Sequence, residues 1–139
     1  MEKINYKQIA DNDFTLVSRL LDNGDCFFHI PALVQETCEK YLKHIVAEYC
    51  VPENDDETAA KASVLRTHSL RVLLSYLNKA GLSVEPQDRA ALMMVEGMYF
   101  TTRYPSDDFY IMQSTDIETC KTALSSARHI VSEIENNIG

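Results

Sequence analysis

The sequence predicts an all-α protein, an up-and-down antiparallel bundle of four to five helices. Three observations carry that expectation. Apolar residues recur three and four apart over long segments, the signature of a helix with one face in a core. The 139 residues include only 4 Gly and 4 Pro, too few for a turn-rich β architecture. A chain of this length also buries about two-thirds of the surface it exposes when unfolded, so one core suffices.

Taken in order, residues 1–12 read as a polar N-terminal tail and residues 13–139 as the bundle domain. Phe14, Val17, Leu20 and Leu21 predict a short helix from about Asp13 to Asn23, where Asn23-Gly24-Asp25 supplies a stop and a new cap. A longer helix follows from Ile30 to Tyr49, with Leu33, Val34, Cys38, Tyr41, Leu42, Ile45, Val46 and Tyr49 on its apolar face. Pro31 is tolerated near its start. That stripe is wide enough for a central position.

From Val51 to Ala62 the chain turns acidic and polar, which predicts a solvated connection. Leu70, Leu73, Leu74 and Leu77 define the next helix, ending at Gly81, and Leu92, Val95, Met98 or Tyr99 and Thr102 define another between Pro86 and Pro105. The last helix is the clearest. Ile117, Cys120, Leu124, Ala127, Val131, Ile134 and Ile138 form one stripe, and its start carries Thr115 and Glu118 at capping-box spacing with Asp116 in the first turn. Short loops between such helices favour neighbours packed at shallow angles.

Charge and composition exclude several functions. A formal charge of −8 is the opposite of the broad basic field that drives sequence-independent nucleic-acid binding, so any such contact must be local. No run approaches the ~18 apolar residues of a membrane span, and the polar N-terminus lacks a secretory pattern. The expected location is cytoplasmic. Cys26, Cys38, Cys50 and Cys120 sit in apolar helical patterns and read as reduced core residues. His29, His44 and His129 are dispersed, and neither zinc-ligand spacing nor the paired Glu-x-x-His of a di-iron bundle is present. No metal and no cofactor are expected. A Gly-rich phosphate loop and a Gly-x-Ser-x-Gly elbow are absent as well.

Three stretches together resemble the HEPN family, the nucleotide-binding helical domains named for higher eukaryotes and prokaryotes. They are Glu39-Lys40-Tyr41-Leu42-Lys43, His68-Ser69-Leu70, and Tyr99 with Arg103-Tyr104-Pro105, followed by a long final helix. The resemblance implies a four- or five-helix bundle that commonly forms homodimers and sometimes works beside a small nucleotidyltransferase, as in toxin–antitoxin pairs. Many members that cut RNA carry an Arg followed four to six residues later by a His. No Arg here has a His at that distance: Arg103 precedes Tyr-Pro-Ser-Asp-Asp-Phe, and Arg66 and Arg128 lie too close to His68 and His129. That departure argues against ribonuclease activity. The stretch from Cys50 to Leu65 is also longer than the family's usual connection.

Phosphate recognition needs fixed positive donors beside backbone N–H groups, and Lys40, Lys43, His68, Arg71 and Arg103 are the candidates. Other readings stand beside each. Glu36–Lys40 and Glu39–Lys43 have the i,i+4 spacing of pairs on an exposed helix face. Arg103 fits a cap on the last carbonyls of its helix or a pair with Asp107 or Asp108 as well as a ligand fork. His68 fits a base, a phosphate donor or a turn residue. Tyr104, with Phe109 and Tyr110, offers an aromatic cluster for a stacked base or for packing. No residue is assigned a catalytic role. The leading expectation is a homodimeric binding module for a nucleotide or RNA end. The alternatives are a metal-independent ribonuclease using Arg103 and His68, and a ligand-free scaffold.

Overall fold

The computed structural model describes residues 3–102 and 109–138, and its organising element is a helix buried around most of its circumference. The helices are α1 (Tyr6–Asp22), α2 (Ile30–Tyr49), α3 (Asp55–Leu65), α4 (Leu70–Lys79), α5 (Pro86–Thr102) and α6 (Asp116–Ile138), with no strand among the described residues. Helix α2 packs against each of the other five. Its apolar residues Val34, Cys38, Tyr41, Leu42, Ile45 and Val46 are buried, but so are Gln35, Thr37, Glu39, Lys43 and His44. The central helix therefore carries polar groups that must find partners inside the fold.

The core is the one the periodicity predicts. Leu70, Leu73, Leu74 and Leu77 of α4 meet Leu92 and Val95 of α5 and Cys120, Leu124, Ala127, Val131 and Ile134 of α6. Ile138, the last member of the predicted stripe, is exposed. Helix stops fall where glycine was expected: Gly24 and Gly81 take positive φ, at 79° and 83°, a conformation glycine adopts without a Cβ penalty.

Two expectations are corrected. The first helix begins at Tyr6 and not near Asp13, so residues 6–12 are helix rather than tail. Asn5 and Gln8 form a capping box there, and Ala10 is fully buried. The acidic connection near 51–62 contains α3, which buries no residue but is well capped. The Asn54 side chain accepts from the Glu57 amide at 2.8 Å, and Asp55, Asp56 and Glu57 place negative charge at the positive end of the helix dipole. Lys61 completes the arrangement by donating to the last carbonyls of α2, Ala47 O at 3.2 Å and Cys50 O at 2.8 Å. The count is thus six helices among the described residues, not four to five. Helix α6 starts at Asp116, as the sequence predicts, with Asp116 and Glu118 in its first turn; the Asp116 carboxylate accepts from the Gln113 amide and from the Tyr110 hydroxyl.

Helices α1, α2 and α6 are tied by one carboxylate. Glu135 Oε2 accepts from Tyr49 Oη at 2.7 Å and lies 3.0 Å from His44 Nε2, while Oε1 meets Lys7 Nζ at 3.4 Å. The bonds from His44 and Tyr49, with Lys7 nearby, hold its carboxyl down at about 2. Among the described residues no helix is long and apolar enough to cross a membrane.

Two measurements test this packing. Leu124, 2% exposed, should cost about 2–5 kcal/mol on truncation to Ala in urea denaturation; a loss below ~0.5 kcal/mol would place the α6 stripe outside the core. A carboxyl depressed in the folded chain contributes stability that is present above its unfolded value and lost as pH falls through the folded one. The stability gap between the native chain and Glu135→Gln should therefore be fully open above the ordinary glutamate value of 4.5 and close as pH approaches about 2. A gap independent of pH would show that Glu135 acts through packing alone.

Candidate functional site

The site is built on Glu39, in the middle of α2, whose side chain is 3% exposed. A carboxylate so far from water needs compensating charge. Oε2 lies 3.2 Å from Lys43 Nζ and 3.6 Å from Lys40 Nζ, and Oε1 lies 3.2 Å from Nδ1 of His68. Lys43 is itself buried, with 6% of its side chain exposed, whereas Lys40 is partly exposed and His68 reaches 66%. The expectation that Glu39–Lys43 decorates an exposed face is therefore corrected: the pair points inward.

A second bond fixes the loop that carries His68. Gln35, one turn before Glu39, donates from Nε2 to the His68 carbonyl at 2.9 Å. Its Oε1 is buried without a hydrogen-bond partner. The backbone and the imidazole of His68 are thus both held by α2. A carboxylate between two lysines accepts and does not donate, so Nδ1 carries the proton and Nε2 is left toward solvent. A carboxylate that orients one ring nitrogen while the other stays free is the geometry of an imidazole poised to accept or donate a proton.

The first amides of α4, beside His68, are where a phosphate would find backbone donors, and the fold fills them from within. Glu96 of α5, 7% exposed, accepts from the Leu70 amide at 2.6 Å and the Arg71 amide at 3.4 Å. The Ser69 hydroxyl accepts from the Val72 amide at 3.2 Å. An anion at this end of α4 would meet a carboxylate already in place, so positive character there comes from side chains. The Arg71 side chain is exposed and lines a separate groove of about 950 Å³ with Tyr49, Val72, Tyr76 and Lys79.

Of the six predicted ligand residues, Lys40, Lys43 and His68 converge on one carboxylate, and Arg71 joins the same helix start through its backbone. Arg103 and Tyr104 lie outside the described residues. Sequence reasoning missed Gln35 and Glu96 as organisers of the site. Of the expected aromatic cluster, Phe109 packs edge-on against Phe28 at 5.6 Å, and the Tyr110 hydroxyl donates to the Asp116 carboxylate at the start of α6.

Two further chemical groups are placed by the fold. Burial pushes the Cys120 thiol up to about 12 and the Cys38 thiol higher still, so neither is a nucleophile. Glu85, Asp88 and His129 bring one donor atom each within 4.8 Å of the others, a grouping invisible in the sequence because its members lie on different helices.

Residues 57–137, more than half of the chain, match the HEPN domain family model. The chain belongs to the HEPN family. The matched stretch begins within α3 and runs through α6, so it includes His68-Ser69-Leu70 and Arg103-Tyr104-Pro105 but not Glu39 or the rest of α2. No curated protein and no solved structure matches the chain.

The Glu39 network makes a direct prediction for stability. Lys43 stripped of its carboxylate is a buried, uncompensated charge, so Glu39→Ala should cost about 3–5 kcal/mol by chemical denaturation. A Glu39→Leu, Lys43→Met double variant should recover most of that loss, because volume is kept and no charge is left unpaired. Equal losses in the single and double variants would mean that the carboxylate does not answer Lys43.

Proposed function

We propose that this HEPN-family chain is a binding module for a phosphate-bearing ligand, a nucleotide or an RNA end, held at the face formed by Lys40 and His68. One observation carries the reading: a buried carboxylate gathers Lys40, Lys43 and His68 and leaves the imidazole two-thirds exposed. A histidine used only to fill a turn gains nothing from an orienting carboxylate and a tethered backbone together. Lys43 neutralises Glu39 inside the fold, and Lys40 and His68 meet the ligand at the surface. Arg103, which belongs to the motif carrying the family resemblance, would add a planar fork for phosphate oxygens.

Homodimerisation belongs to this reading. Exposed Phe27, Phe28 and Met94 are residue types enriched at protein interfaces, and the family commonly dimerises. A nucleotidyltransferase, in a toxin–antitoxin-type pair, is the partner that family habit suggests. Four unpaired thiols fit a reducing, cytoplasmic setting.

A second reading, RNA cleavage, is favoured by the Glu39–His68 pair alone, since a general base needs an orienting group. Against it stands the absence of the Arg-to-His spacing of the cleaving members.

Titration of the full chain with a fluorescent nucleotide tests the proposal. His68→Ala and Arg103→Lys should each weaken binding about tenfold or more, the loss of one hydrogen bond to a charged group. Affinity should fall as salt rises above physiological strength, where the Debye length is about 8 Å. Unchanged affinity in both variants would remove the site. Turnover of a mixed RNA panel, abolished by His68→Ala, would replace binding with catalysis.

A further inference from the structure

We propose that Glu85, Asp88 and His129 form a site for a divalent transition-metal cation, zinc(II) being the reference ion, that staples the start of α5 to the middle of α6. Glu85 immediately precedes α5, Asp88 lies within its first turn, and His129 faces them from α6. One donor atom from each falls within 4.8 Å of the other two. Around a zinc ion with bonds of about 2.0–2.2 Å, tetrahedral ligand atoms lie about 3.3–3.5 Å apart. Small rotations of the exposed Glu85 and His129 side chains close that difference, while the Asp88 side chain, 10% exposed, is already fixed.

Acidic residues at a helix start have an ordinary explanation in the helix dipole, and it accounts for Asp88. It does not account for what α6 contributes. Both ring nitrogens of His129 meet carboxylates, Nδ1 with Asp88 Oδ2 at 2.6 Å and Nε2 with Glu133 Oε1 at 3.5 Å. Three carboxylates thus surround one imidazole, and the group stays negative even when the ring is charged. Among the described residues none of the ion pairs brings a Lys or Arg to Glu85, Asp88 or Glu133. Lys121, which lines the neighbouring cleft, is paired with Asp22 at 3.1 Å.

The donor set selects the ion class. Calcium and magnesium favour oxygen ligands throughout, whereas one imidazole nitrogen with carboxylate oxygens suits zinc and its borderline neighbours. Three protein ligands leave a coordination position for water. The adjoining cleft of about 320 Å³, with the side chains of Thr122, Ser125 and Ser126, has room for that water. The staple acts on α5, the helix whose Glu96 caps α4 beside the candidate ligand face. The metal site stands independently of the ligand proposal.

Untagged full-length protein, stripped with EDTA, should bind zinc in equilibrium dialysis with saturation at one ion per chain, and its melting temperature should rise on loading. Glu85→Gln should leave the metal-free melting temperature unchanged, because Glu85 is exposed, and should weaken binding at least about tenfold; His129→Ala should do the same to affinity. Cobalt(II) bound at the same stoichiometry should give visible absorption without a thiolate charge-transfer band. Absence of saturable binding up to millimolar zinc would overturn the proposal. Undiminished affinity in either variant, or a thiolate band, would equally overturn it by placing the ion elsewhere, for example on Cys26 or Cys50.

Discussion

A carboxylate in the middle of the central helix of a bundle cannot remain uncompensated, and Glu39 sets that constraint for this fold. Its 3% side-chain exposure removes it from water, and its two oxygens then take Lys43 from the same helix and His68 from the loop ahead of α4. Gln35 adds the bond that holds the His68 backbone. The entry to α4 is thereby registered against α2. Once α4 is placed, Glu96 can reach its first amides from α5, which orders α2, α4 and α5 as neighbours. Replacing such a buried ionic group with apolar residues is often neutral or stabilising, so its presence in place of leucine is better explained by what it positions than by what it stabilises.

Much of the fold was legible because apolar periodicity reports burial directly. Helix α2 has the predicted limits, Ile30–Tyr49, and the stripes of α4 and, apart from Ile117 and Ile138 at its ends, of α6 are buried as their spacing implied. The missed elements share a physical reason. Helix α3 buries no residue, so it leaves no stripe, and its stability is local: a cap, acidic residues in the first turn, and a lysine reaching a neighbouring helix end. The first turns of α1 were hidden because Ala10 is their one fully buried residue and makes no stripe by itself, although Asn5 and Gln8 carry a legible capping signal.

The site was legible in its members and not in its arrangement. Lys40, Lys43 and His68 stand out by residue type and motif, but an i,i+4 spacing does not say whether a pair faces water or the core. For Glu39–Lys43 it faces the core because α2 is surrounded. Gln35 and Glu96 act on groups 33 and 26 residues away, and no local pattern encodes such partners. The same distance in sequence, 41 residues, hid the meeting of Asp88 and His129.

Electrostatics decides how such a face would recognise an anion. With the first amides of α4 already bound to Glu96 and Ser69, the helix terminus has little left to offer, and attraction rests on side chains. Lys40 and Lys43 balance Glu39 and Glu96 there, so the face is locally neutral within a chain of net charge −8. At a Debye length of about 8 Å the distant acidic groups are largely screened while the adjacent lysine and imidazole are not. Recognition on the proposed reading would be short-ranged: such a chain would not draw polyanions from a distance, as a basic surface does, but would hold a phosphate that had already reached the His68 face. A site of that kind discriminates by geometry, through the tethered imidazole and the reach of the lysine, more than by field strength.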